Sequence, residues 1–255
     1  MTDVASFIRG WIPFSKQNAK RYRERFITTL SLQMTDASKG SSLSENLTRA
    51  EDLYQEYRHR VAQAQHVSIN IGLDRLLEAA RSGFLPPSVP PNQWDRLPRD
   101  NVERAFWQGK FTMRPVYGAL NTTSTVGAAP KFNPRLWIKL TSGAIAGRTT
   151  FTSANTYNVL HPELGDFDVH KAFAVLQNEI FLWDDVPDCF LAKYQHPDLV
   201  RLDDYIEAQI WHPVSVDDID QVFVRSGAGY DPREIMKGPE YVHGPAVTGK
   251  LQELP

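Results

Sequence analysis

The apolar residues of this chain change their period once, near Arg114, and that change constrains the fold more than any other feature. Before Arg114 they recur at helical spacing. Ser42 and Glu45 stand at capping-box spacing. After them Leu47, Ala50, Leu53, Tyr54, Tyr57 and Val61 form a stripe that a helix brings to one side. The same spacing predicts a helix over 17–33, with Tyr22, Phe26, Ile27 and Leu30 on one side and basic residues around the rest. Another is predicted over 73–81, with Gly83 placed to end it. Residues 67–71 alternate and predict a short strand. The run 84–91 carries four prolines, which exclude helix and central strand and predict an extended loop.

After Arg114 the apolar runs are short, rich in β-branched and aromatic residues, and separated by turn residues. They predict strands at 115–120, 136–140, 148–153, 179–183, 205–211 and 221–224. Between them 169–176 predicts a short helix and 216–220 a helical turn. Helices first and strands after specify an α+β fold. Three regions follow: an N-terminal extension with an amphipathic helix over 1–40, a helical subdomain over 41–110, and a β-rich core over 111–255. Residues 39–42 read as the linker after the extension. A basic amphipathic helix can bind a membrane surface or a partner, but packing on its own domain is the simpler use of one apolar side.

Composition narrows the function classes. With 255 residues, 42% of them hydrophobic, the chain can bury a core without metals or disulfides. A net charge of -2 argues against nucleic acid as the ligand. The single cysteine, Cys189, excludes an intramolecular disulfide and a cysteine-cluster zinc site, and reads as a small buried hydrophobe. No apolar run approaches the ~18 residues of a membrane helix. The N-terminus lacks the pattern of a signal peptide. The expected location is therefore the cytoplasm, or another cell reached by a route that needs no signal peptide.

Three strand-like segments carry the chemistry. Arg114 opens RPVYGALN, and Arg148 opens RTTFTSANTYN, which runs into hydroxyl and amide groups. In LDDYIEAQIWHP the residues Tyr205, Glu207, Gln209 and Trp211 share one side of a strand, and Ile206, Ala208 and Ile210 share the other. The second side suits a core. The first holds a carboxylate and an amide between two aromatics, which suits a ligand cleft. The bland alternatives are concrete: Arg114 capping a strand edge in solvent, and Glu207 in a structural ion pair with Arg148 or Arg201. Asp203 and Asp204 read as the solvent end of the strand, and Asp184 and Asp185 as a solvated turn.

The chain resembles a largely bacterial family known only as a domain of unknown function, through RPVYGALN at 114–121, Phe132, the strand 136–140, the R-x-TF segment at 148–151, and 205–213. VSINIGLDRL and Arg104 to Gly109 resemble further landmarks, with Gly72 and Leu73 standing where the family has His-Pro. The order of these segments also resembles the mono-ADP-ribosyltransferases. That resemblance implies a split β-sandwich behind a helical N-terminal region, with NAD as substrate and no metal. It implies NAD-phosphate binding by Arg114 or Arg148, a pocket shaped by Thr152 and Ser153, and stacking on nicotinamide by Tyr117 or Tyr205. It makes Glu207 the catalytic carboxylate, with Gln209 orienting an acceptor, expected to be a protein, as for a toxin or effector. The strand reads Glu-x-Gln where the superfamily has Glu/Gln-x-Glu, so either Glu207 is itself the catalytic group or the site is altered. The alternatives are an NAD glycohydrolase and a non-enzymatic interaction module on the same fold.

Overall fold

The computed structural model describes residues 3–37, 42–87, 93–109, 113–122, 135–160, 167–194, 205–227 and 229–254. The linker at 39–41, Phe132, Arg201, Asp203 and Asp204 lie outside the described residues. The fold is α+β, with helices at the N-terminus and a mixed β-sheet after them.

Two long helices come first: α1 (Val4–Ala37) and α2 (Leu43–Ala64). α2 begins with the expected capping box, in which Ser42 and Glu45 satisfy each other's backbone N–H. β1 (His66–Asn70) leads to α3 (Leu73–Ser82), which ends at Gly83 in the left-handed conformation, φ 82°. β2 (Phe84–Leu85) and α4 (Gln93–Phe106) precede the strand region.

That region contains β3 (Val116–Asn121), β4 (Leu136–Leu140) and α5 (Ser142–Ile145), then a 3-10 turn and β5 (Thr149–Thr152). α6 (Thr156–Leu160), α7 (Val169–Glu179), β6 (Ile180–Phe181) and α8 (Val186–Tyr194) follow. The chain continues through β7 (Glu207–Ile210), β8 (Val214–Ser215), a second 3-10 turn and β9 (Ile219–Arg225). It closes with α9 (Pro232–Ile235), α10 (Gly244–Thr248) and β10 (Leu251–Leu254).

Eight strands form one sheet in the order β10-β9-β4-β1-β3-β7-β5-β6, and β2 pairs with β8 in a separate ribbon. The pairings are antiparallel except β9 with β10. One sheet face packs on the main core, which includes Val67, Ile69, Phe151, Ile206, Ala208 and Ile210. The other face meets a second core of Ile8, Trp11, Phe106, Trp107, Leu176 and Trp211.

The N-terminal helix is more than the expected appendage. It starts at Val4, not near residue 17, and continues through Pro13. An internal proline costs a helix ~3 kcal/mol. Burial of Ile8 and Trp11 in the second core and of Phe26 in the main core offsets that cost. Asn18 donates to the carbonyls of Gln177 and Ile180, at 3.0 and 2.9 Å. Ser15 donates to Asp185 at 2.6 Å and accepts from the backbone N–H of Leu182 at 2.8 Å. α8 carries no amphipathic signal because Val186 to Leu191 are all buried. The strand expected over 179–183 shrinks to two residues, because α7 continues through Glu179.

Gly118 has a definite task. A Cβ there would stand 2.7 Å from the Ser68 carbonyl oxygen and 2.8 Å from a Val67 methyl. Gly118→Ala should lower stability by about 1–3 kcal/mol through overpacking. Gly10→Ala, in a helical position with nothing within 4 Å of the added methyl, should raise it by roughly 0.5–1 kcal/mol. Urea midpoints of the two variants check both signs.

Candidate functional site

Strand pairing builds the site. Thr152 and Ala119 lie opposite Glu207, and Thr150 and Tyr117 lie opposite Gln209. Directly opposed residues share a face, so these six side chains stand on the face away from the main core. α4 and α6 supply groups to that face through Arg99, Glu103 and Thr156.

Contacts converge on Oε1 of Glu207, whose residue is 2% exposed. The Thr156 backbone N–H donates at 3.2 Å, the Thr156 hydroxyl donates at short range, and Gln209 Nε2 donates at 3.2 Å. Arg99 Nη1 lies 3.6 Å away in an ion pair. A buried carboxylate survives only with such partners. Behind it runs a chain of hydrogen bonds. The Trp211 indole N–H donates to Thr150 Oγ1 at 2.8 Å, and the Thr150 hydroxyl donates to Gln209 Oε1 at 2.9 Å. Gln209 Nε2 donates to Thr152 Oγ1 at 3.1 Å, and the Thr152 hydroxyl donates to the Ala154 carbonyl at 2.8 Å.

Arg99 stacks on the Tyr117 ring, 4.0 Å from its centroid. Burial alone would weaken its charge, but the carboxylate of Glu207, helped by Tyr117 and Tyr205, holds the guanidinium above its ordinary range. Burial raises the Tyr205 hydroxyl, and Glu207 raises it further. The Tyr205 oxygen also accepts from Asn155 Nδ2 at 2.7 Å. The Tyr117 hydroxyl, pushed up chiefly by burial, donates to Glu103 Oε1 at 3.2 Å. Burial pushes the Glu103 carboxyl up to about 7, against the lowering pull of Arg114 and the Tyr117 hydroxyl.

Of the residues expected at a site, Glu207, Gln209, Thr152, Tyr117 and Tyr205 come together. Arg114 joins them at one remove, because its guanidinium is engaged by Asp100 and lies 3.5 Å from Glu103. Two others do not join. Arg148 stands at the opposite end of β5, where it pairs with Asp218 at 2.6 Å and donates to the Pro213 carbonyl at 2.7 Å. Ser153 follows the last residue of β5, and its hydroxyl donates to Glu179. Gln209 is fully buried with both ends of its amide engaged, so it orients Glu207 and reaches no acceptor. The structural partner of Glu207 is Arg99, not Arg148. Cys189 is buried, as its residue type suggested.

Sequence reasoning did not find Arg99, Glu103 and Thr156. Their signal was slight: Arg99 and Glu103 are four apart, hence on one helix face, within the stretch assigned only broadly to the helical subdomain. Among the described residues no group of three or more His, Cys, Asp or Glu side chains could hold a metal ion. Among them no helix is long and apolar enough to cross a membrane. Comparison with protein-family models and with curated proteins finds no match to this chain.

The raised Glu103 carboxyl makes stability depend on pH. Its folded value, about 7, lies above the ordinary 4.5, so the folded state binds more protons between those values. The stability this gives is full below pH 4.5 and is lost as pH rises through 7, by about 3 kcal/mol. Glu103→Gln keeps a hydrogen-bonding group and should flatten the decline. Chemical denaturation of both proteins at pH 4.5, 6 and 7.5 measures the difference.

Proposed function

We propose that the chain cleaves the nicotinamide–ribose bond of NAD and transfers ADP-ribose to an acceptor, with Glu207 as the catalytic carboxylate. The observation that carries this reading is the fixed position of Glu207 on a face shared with Thr152, Tyr117 and Gln209. In such a cleavage the nicotinamide nitrogen leaves with the bonding electron pair, and C1′ gains oxocarbenium character. The acceptor then gives an electron pair to C1′ and loses its proton. A carboxylate already oriented by Thr156 and Gln209 would stabilise the developing positive charge without reorganisation. With water as the acceptor, the same site is an NAD glycohydrolase. A split β-sandwich would divide the eight-stranded sheet at β1, whose first half pairs with β3 and whose second half pairs with β4.

A second reading has its own observation. The ion pair of Glu207 with Arg99, buried on the carboxylate side, is what a non-enzymatic interaction module would use to fasten α4 to the sheet. Nicotinamide release from NAD separates the two. On the first reading Glu207→Gln, which keeps a hydrogen-bonding group but leaves Arg99 without its counter-charge, melts lower yet folds, and loses at least about 100-fold in turnover. Absence of NAD turnover in the parent, with a large drop in melting temperature for the variant, would establish the second. Label on the adenylate half, recovered on protein or free in solution, distinguishes transfer from hydrolysis.

A further inference from the structure

Arg99, Arg114 and Arg148 differ in their surroundings. Arg114 is engaged by Asp100 and Glu103, with its side chain 13% exposed. Arg148 is held by Asp218 at 2.6 Å and by the Pro213 carbonyl at 2.7 Å. Both are struts with close acceptors. Arg99 is held differently. Its side chain is 22% exposed, and its carboxylate contact, 3.6 Å to Glu207, is longer than a hydrogen bond. Its Nη1 donates to Thr156 Oγ1 at 3.3 Å. The face of the guanidinium rests on Tyr117. A guanidinium stacked by its face still presents N–H donors at its rim, in the fork geometry that matches a phosphoryl group.

We infer that Arg99 binds the diphosphate of a dinucleotide substrate, and that this diphosphate and Glu207 compete for one guanidinium. The inference rests on the NAD reading above and adds a coupling to it. When a phosphoryl oxygen takes Arg99, Glu207 keeps Thr156 and Gln209 as hydrogen-bond donors and loses its counter-cation. Its negative charge is then unmatched, as stabilisation of a developing positive charge at C1′ requires. A substrate without the diphosphate leaves the carboxylate neutralised. The site would therefore discriminate by switching on, in addition to binding: a nucleoside carrying the same glycosidic bond lacks the group that frees Glu207. The elevated charge affinity of Arg99 fits this arrangement, since Glu207 is the largest contribution that strengthens it.

Calorimetric titration with ADP, inorganic pyrophosphate and adenosine tests the competition directly. The proteins are the parent, Glu207→Gln, Arg99→Lys, and the double variant Arg99→Met/Glu207→Gln. Removing the competing carboxylate should tighten ADP and pyrophosphate by about tenfold, the scale of one charge-assisted contact. Adenosine should show no such gain. The lysine, which lacks the planar fork, should weaken both anions, and the double variant, which leaves no lone buried charge, should bind neither. The inference is overturned if neither anion binds the parent or Glu207→Gln, if Glu207→Gln binds ADP no tighter than the parent, or if the folded double variant binds as the parent does. Nicotinamide release measured in parallel keeps the two claims apart. The anion pattern without release removes the NAD reading and leaves the anion site standing. Release without the anion pattern does the reverse.

Discussion

A carboxylate carried into the middle of a sheet must be compensated, and much of the architecture around Glu207 can be understood as that compensation. The strand places Ile206, Ala208 and Ile210 in the main core, so the alternating side chains have to face the other way. There Glu207 is almost wholly removed from water. Its charge is matched by Arg99, its lone pairs by Thr156 and Gln209, and Gln209 is in turn held by Thr150 and Thr152. Replacing any one member leaves its neighbour unsatisfied, which is why such networks impose a single arrangement. α4 is drawn onto the sheet by the same logic, through Arg99 to Glu207 and through Glu103 to Tyr117.

The apolar support for that network comes from an unexpected quarter. Trp211 donates the first hydrogen bond of the chain that ends at Glu207, and its ring lies among Phe7, Phe106 and Trp107 at centroid distances of 5.0, 4.9 and 5.6 Å. Phe7 belongs to the first two turns of α1 and stacks on Trp107 at 3.9 Å. The N-terminal helix thus completes the second core beneath the polar face. Edge-to-face and stacked rings of this kind fix orientation as well as burying area. The position of the Trp211 indole N–H, and with it the orientation of the Gln209 amide, depends on residues two hundred positions earlier in the chain.

How much of this was legible beforehand follows from which signals are local. The alternation in YIEAQI is local, and it correctly separated Glu207 and Gln209 from the apolar side. The capping box of α2 and the glycine ending α3 are local and were also legible. Strand register is not local. Which residue faces Glu207 is decided by pairing with β3 and β5, and it admitted Tyr117 and Thr152 while leaving Arg148 at the far end and Ser153 turned toward Glu179. α4 carries a weak local signal, because it follows a proline-rich run and contains a proline at position 98. α8 was hidden because a helix buried on every side has no stripe at all. The partner of Glu207 was sought among arginines of the strands and lay on a helix.

The fastening of α1 also bears on how the chain acquires its structure. Ser15 meets Asp185 across a separation of 170 residues, and Asn18 meets Ile180 across 162. Contacts so distant in sequence carry a large closure entropy and form late. During synthesis α1 emerges well before the turn and strand that hold it: Phe26 can meet Tyr54 and Tyr57 of α2 early, but Trp11 waits for Phe106 and Phe173. A helix made early and fastened late keeps an aromatic face open to other chains for much of translation, which is the interval in which association with a chaperone, or with a second nascent copy, competes with folding.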